Sequence, residues 1–180
     1  MSRLQMVSPE PEDAALKRMF DEVRARGTAL PNLYRVIGIA PPMLRAWLDF
    51  AWPLRLQAKS PRRLRELLIL RGAQIAGARY EWVHHQAMAL AAGVSQAQVD
   101  ALEDWEQSEL FAAQEQAVLR LADEVTRGPA ASAACIQSLK QQGFSDAEVV
   151  ELTLTASFYV CVARFLQSMD VDLEDGLKHD

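Results

Sequence analysis

Twice, 50 residues apart, the chain spells the same corner: Gly93-Val94-Ser95-Gln96-Ala97-Gln98-Val99 with Leu102, and Gly143-Phe144-Ser145-Asp146-Ala147-Glu148-Val149 with Leu152. A glycine after an apolar-periodic stretch is the usual left-handed helix stop, and Ser-x-x-Gln or Ser-x-x-Glu is a capping box that opens the next helix. Each copy therefore fixes a helix–helix corner. The echo reads either as a duplicated helix-Gly-Ser-helix unit or as common punctuation used twice.

The rest of the chain supports helices throughout. Ala, Leu, Gln, Glu and Arg recur, with eight Gly and eight Pro between them, and long β-branched or aromatic runs are missing. A first helix is expected over 9–26, capped by Ser8-Pro9 and closed by Gly27. A short turn carries Tyr34 to Ile37, and Pro41-Pro42 opens a helix through Trp47, Phe50 and Trp52 that Pro53 should kink or shorten. Ser60-Pro61 starts another, with Leu64, Leu67, Leu68 and Ile75 on one stripe and a stop near Gly77. Helices follow over Tyr80 to Ala92, Ala112 to Arg127, a shorter stretch ending at Gly143, and Asp146 to Met169. In this last helix the stripe Val149, Leu152, Thr153, Ala156, Val160 and Ala163 suits close packing, with Cys161 in the same setting. The fold class is all-α, a compact bundle of about seven to nine helices. At 180 residues it reads as a single domain: a helical extension over 1–59, a core over 60–173 and a tail over 174–180.

Charge excludes some partners. The net charge of −5 is spread along the chain without a basic stripe, so nucleic acid is not an expected partner. The one dense basic group, Arg62, Arg63, Arg65 and Arg71, reads as a solvated face and rim. The first eleven residues hold no apolar leader, and no run of 18 uncharged apolar residues occurs, so neither export nor a membrane partner is expected. Cys135 and Cys161, set among Ala, Val and Leu, read as small hydrophobes in a reducing cytoplasm. Four tryptophans, Trp47, Trp52, Trp82 and Trp105, suit either core packing or a self-association interface.

Chemistry concentrates at Tyr80-Glu81-Trp82-Val83-His84-His85, because the chain has three histidines and the third, His179, falls in the tail. Glu81 and His85 stand one helical turn apart, as either a hydrogen-bonded acid–base pair or an ordinary surface pair. Glu66 interrupts an apolar run, and a buried carboxylate needs a partner. A hairpin turning near Gly77 would carry Glu66 to the Glu81–His85 face, where burial beside a second carboxylate raises proton affinity; the alternative is a rim bridge to Arg62 or Arg63. Glu81-x-x-His84 is half of a di-iron motif, but no second copy exists and His-Glu-x-x-His is absent, so no metal is expected.

Glu66, Ala78, Glu81 and His85, with Gly93 beyond, resemble the signature Glu-x11-Cys-x2-Cys-x3-His of the carboxymuconolactone decarboxylase and alkylhydroperoxidase D superfamily. Arg65-Glu66-Leu67-Leu68-Ile69-Leu70-Arg71, the Tyr80-Glu81-Trp82 triplet and the last helix extend the resemblance over 30–173. Ala78 and Glu81 stand where the peroxidase branch has its redox cysteines, so the resemblance implies that cysteine-dependent peroxidase activity is absent. It implies instead the cofactor-free decarboxylase branch, although members of that branch lack so long an N-terminal extension. The expected activity is proton transfer or decarboxylation on a small lactone or carboxylated metabolite. Glu66, Glu81 and His85 would be catalytic, and Tyr80, Trp82 and His84 would bind substrate. The resemblance also implies a homo-oligomer, a dimer, trimer or hexamer. The rival is a non-catalytic helical oligomerisation or interaction protein, which predicts an occluded Glu–His cluster.

Overall fold

The structure, a computed structural model, describes residues 2–27 and 29–177. His179 lies outside the described residues. Among those described there are nine α-helices and one 3-10 turn, with no strand: α1 (Ala14–Arg24), α2 (Asn32–Ile37), α3 (Pro41–Leu56), α4 (Arg62–Ala76), α5 (Arg79–Ala91), α6 (Gln96–Asp100), the 3-10 turn Trp105–Gln107, α7 (Ala113–Arg127), α8 (Ala133–Gln141) and α9 (Asp146–Met169). The chain divides into two units, Met1–Pro53 with Leu166–Asp180, and Leu54–Phe165.

In the first unit, α1 starts later than its sequence suggests. Asp13 is the cap, its carboxylate accepting the Leu16 amide at 2.7 Å, while Ser8 closes a local turn by accepting the Glu10 amide at 3.2 Å. A short hydroxyl side chain satisfied by its neighbour is no longer available to a helix. Pro53 sits inside α3 without ending it, since the helix continues to Leu56. The two termini meet here: the Arg3 amide donates to the Met169 carbonyl at 2.9 Å, and the Asn32 amide donates to Glu174 at 2.7 Å.

The second unit is built around α4. Leu64 to Arg71 are all buried, so this helix is enclosed on every side rather than along one stripe. Its main neighbours are α7 and α5. Of the four arginines expected on a solvated face and rim, Arg62 and Arg63 are half-exposed, whereas Arg65 and Arg71 are enclosed. Arg65 and Arg71 are 6% and 5% exposed, and Arg71 forks onto Asp123 of α7 at 2.5 and 2.9 Å while donating to the Leu102 carbonyl at 2.9 Å. Arg63 pins the α5–α6 corner through the Gly93 carbonyl at 2.9 Å, Gln98 at 2.8 Å and an ion pair with Glu115. A charged group leaves water only when such partners replace it.

Both repeated corners have the expected geometry. Gly93 and Gly143 take φ of 91° and 89°, and the amides of Val94 and Phe144 reach back to Ala89 and Leu139. Ser95 with Gln98 and Ser145 with Glu148 then cap the helices that follow. In α9 the buried face is Leu152, Thr155, Ala156, Tyr159, Val162 and Ala163; Thr153 and Val160 are half-buried and Cys161 is exposed, one position off the expected stripe. By length and composition α9 could cross a membrane, yet 44% of its most apolar window is buried, as in the core helix of a bundle.

Candidate active site

The site is made by the α4–α5 hairpin. Gly77 adopts φ 62°, and the Ala78 amide returns to the Ala73 carbonyl at 2.9 Å, so the chain reverses within one residue of each helix. The reversal brings Glu66 and His85, 19 apart in sequence, together: His85 Nδ1 stands 2.7 Å from Glu66 Oε2. Glu66 is fully buried and His85 is 6% exposed. The other Glu66 oxygen pairs with Arg62, one turn earlier on α4, so the hairpin contact and the arginine bridge coexist. From α9, the Tyr159 ring meets His85 edge-on at 4.9 Å.

Burial pushes the Glu66 carboxyl up, but the hydrogen bond from His85, with the Arg62 and Arg55 guanidiniums, outweighs it and holds the carboxyl below its ordinary range. Burial pushes the His85 imidazole down, more than Glu66 raises it. The pair is thus a carboxylate and a neutral imidazole. Nδ1–H donates to Glu66, which leaves Nε2 as the basic nitrogen.

Glu81 has the opposite state. It is 2% exposed, its carboxyl is pushed well above the ordinary range by burial alone, and neither oxygen has a hydrogen-bond partner among the described residues. It does not bond His85, whose Nδ1 is taken by Glu66. Around one hairpin, then, a carboxylate and a neutral imidazole are paired, and one turn before the imidazole on α5 a second, unpartnered carboxyl has its proton affinity raised by burial.

The other expected residues fall elsewhere around α5. Tyr80 stacks on His84 at 4.3 Å, and His84 Nδ1 bonds the Tyr80 carbonyl at 2.8 Å. Trp82 packs half-buried against Ala73, Ala78 and Ala163. Among the described residues no three His, Cys, Asp or Glu side chains gather as metal ligands. Cys135 is buried with its thiol pushed up to about 11, by burial first and Glu124 second.

Beside Glu66 lies a cavity of about 10 Å³, bounded by Arg55 at the end of α3, by Arg62, Arg65 and Glu66 of α4, and by Thr155 and Tyr159 of α9. That is room for about one water molecule. Arg55, Thr155 and Tyr159 carry no local sequence signal, because only the packing of distant helices brings them to Glu66.

The sequence model of the carboxymuconolactone decarboxylase family matches residues 41–124. No protein of curated function matches the sequence. Among solved structures, an alkylhydroperoxidase D core protein, uncharacterised and peroxidase-related, from Ralstonia eutropha JMP134 superposes with a TM-score of 0.83 at 18% identity, over 98% of this chain and 94% of that one. The debrominase Bmp8, in a cysteine-to-alanine form complexed with 2,3,4-tribromopyrrole, gives 0.79 at 20% identity, over 99% and 96%. A protein of unknown function from Agrobacterium tumefaciens gives 0.69 at 21% identity, over 76% and 94%. At such identities the likeness is one of fold.

Proposed function

We propose that this chain, which the carboxymuconolactone decarboxylase family model matches over residues 41–124 and which has the fold of an alkylhydroperoxidase D core protein, performs cofactor-free proton transfer or decarboxylation on a small lactone or carboxylated metabolite. The observation that carries the reading is the buried Glu66–His85 pair at 2.7 Å, with Glu81, whose carboxyl burial pushes well above its ordinary range, one turn away on α5. Environments that push titratable groups apart separate the acid and base roles. Glu66 fixes the tautomer of His85, and Nε2 takes a proton from carbon next to a carbonyl. In decarboxylation the carboxylate leaves as carbon dioxide, and its bonding electron pair passes into the conjugated carbonyl. Glu81 then gives its proton to the resulting carbanion. Tyr80, Trp82 and His84 would contact the substrate on entry, and the Bmp8 complex shows a small ring held by this fold.

The thiol pair of a peroxidase cycle is replaced by Ala78 and Glu81, so the reading does not extend to cysteine-dependent peroxide reduction. A cytoplasmic location accords with two free cysteines. Self-association is part of the proposal, supported by Met43 and Phe50, which expose 60% and 45% of their surface on α3. A 20.1 kDa species by light scattering at micromolar concentration would remove that part.

The decisive assay monitors carbon dioxide release and solvent-deuterium uptake across a panel of unsaturated lactones and their carboxylates, with His85→Gln as control. Turnover that falls by about 10²–10⁴-fold in the variant supports the assignment. One observation favours the non-catalytic scaffold: the pair is nearly closed to solvent, and the adjoining cavity is water-sized. No turnover and no exchange in the wild-type protein would leave that reading standing.

A further inference from the structure

The cavity beside Glu66 has three guanidiniums and one carboxylate on its border. Arg55, Arg62 and Arg65 border it, and only Glu66 among its lining residues is acidic. Arg65 is 6% exposed; its Nη1 donates to the Leu54 carbonyl, while its Nε is buried without a hydrogen-bond partner. An orphaned donor on a buried cation is costly and marks a missing acceptor. Glu151, the other acid acting on Arg65, is occupied by the Lys59 and Ser60 amides at 3.0 and 2.8 Å. Arg55 and Arg62 each direct one donor at the Met88 thioether, at 3.9 and 3.6 Å, a weak acceptor that a charged oxygen would readily replace. Burial, then the neighbouring Arg62 charge, loosens the hold of Arg65 on its proton, which an incoming anion would reverse.

We propose that this cavity is an anion subsite that takes the carboxylate of a small organic acid, with one oxygen in the void on Arg65 Nε and the guanidiniums of Arg55 and Arg62 around it. The water-sized volume fits one carboxylate oxygen and leaves no room for a tetrahedral phosphate. Planar guanidinium donors suit the planar acceptor. Arg62, whose side chain is 37% exposed, forms the way in. Anion binding stands by itself, and its meaning as substrate recognition rests on the proton-transfer reading of His85.

The test titrates the full chain with sodium formate, sodium acetate, sodium chloride and neutral methyl acetate, by calorimetry and thermal shift. Saturable binding of formate and acetate is expected, at least about tenfold tighter than chloride and weakened by at least about tenfold, ~1.4 kcal/mol, in Arg55→Met and Arg65→Met. Should Arg65→Met fail to fold, Arg55→Met carries the test. His85→Gln should bind formate as the wild type does. The subsite is overturned if formate does not saturate, if chloride binds as tightly, or if Arg55→Met binds undiminished. Formate binding without turnover of any lactone would overturn the proton-transfer reading and leave the subsite standing. Turnover in which Arg55→Met keeps the full preference for a free acid over its methyl ester would do the reverse.

Discussion

Two carboxyl groups are buried on the two arms of one hairpin, and their surroundings push their proton affinities in opposite directions. Glu66, fully enclosed on α4, has His85 on one oxygen and Arg62 on the other, and its carboxyl is held low. Glu81, 2% exposed on α5, has no hydrogen-bond partner, and its carboxyl is held high. Burial acts on both in the same direction, so the partners alone decide the outcome. One hairpin thereby holds an anion that orients a base and a second carboxyl whose hold on its proton is strengthened by burial.

The largest effect should come from breaking the ionised corner. Glu66→Gln leaves Arg62 and His85 without their anion, and removing one member of a buried pair costs about 3–5 kcal/mol, read by urea denaturation. Turnover should fall by about 10²–10⁴-fold. The pH dependence has a definite sign. Glu66 and His85 are both depressed, so each contributes stability that is present above its ordinary pKa and lost as pH falls through its folded value. Wild-type stability should therefore drop on acidification, and Glu66→Gln should flatten that limb. An unchanged acid limb would mean that the pair does not carry the contrast.

Glu81→Gln sharpens the contrast from the other side. A carboxyl whose folded pKa is raised contributes fully below its unfolded value and becomes a liability as pH rises through the folded one. The variant should melt close to the wild type at pH 5 and a few degrees above it at pH 8, on a scale of about 2–4 °C per kcal/mol. If Glu81 is the acid, turnover falls while melting temperature rises, a split that a merely structural carboxylate would not give. A melting temperature unchanged at both pH values would show Glu81 to be ionised or hydrated.

How much of this was legible in the sequence depends on range. Local chemistry was readable: the Gly77 stop, the two Gly-Ser corners, and a hairpin carrying Glu66 to His85 all follow from spacing along one or two helices. The state of Glu81 was left open, because i,i+4 spacing permits either a Glu81–His85 bond or a surface pair, and cannot show that Glu66 occupies Nδ1 or that Glu81 is buried without a partner. Arg65 and Arg71 were read as solvated because sequence shows charge without enclosure; α4 is surrounded at both, and the Leu54 carbonyl and Asp123, which take donors from them, come from elsewhere in the chain. Cys161 shows the limit of a periodicity argument, since one position around α9 separates the buried Val162 from the exposed thiol.

A smaller effect is expected at the joint between the two corners. Gly77 stands at φ 62°, where an L-residue costs about 1–2 kcal/mol. Gly77→Ala should lower the melting temperature by about 2–4 °C for each kcal/mol lost, while the acid and alkaline limbs keep their shapes, since no titrating contact changes. A change in the acid limb would show that the turn sets the Glu66–His85 distance as well as the stability.

The smallest effect belongs to sulfur, and it bounds the comparison. If the two carboxylates hold the chemistry, neither cysteine is needed. Cys161 is exposed and should react stoichiometrically with a disulfide reagent in the native protein; Cys135, 1% exposed with its thiol at about 11, should react only on unfolding. Cys161→Ser should shift stability by no more than about 0.5 kcal/mol and leave proton transfer untouched, and peroxide consumption should be as slow in the wild type as in the double Cys135→Ser, Cys161→Ser variant. Peroxide reduction lost on removing either thiol would move the working chemistry from the Glu66–Glu81 hairpin to a cysteine outside it.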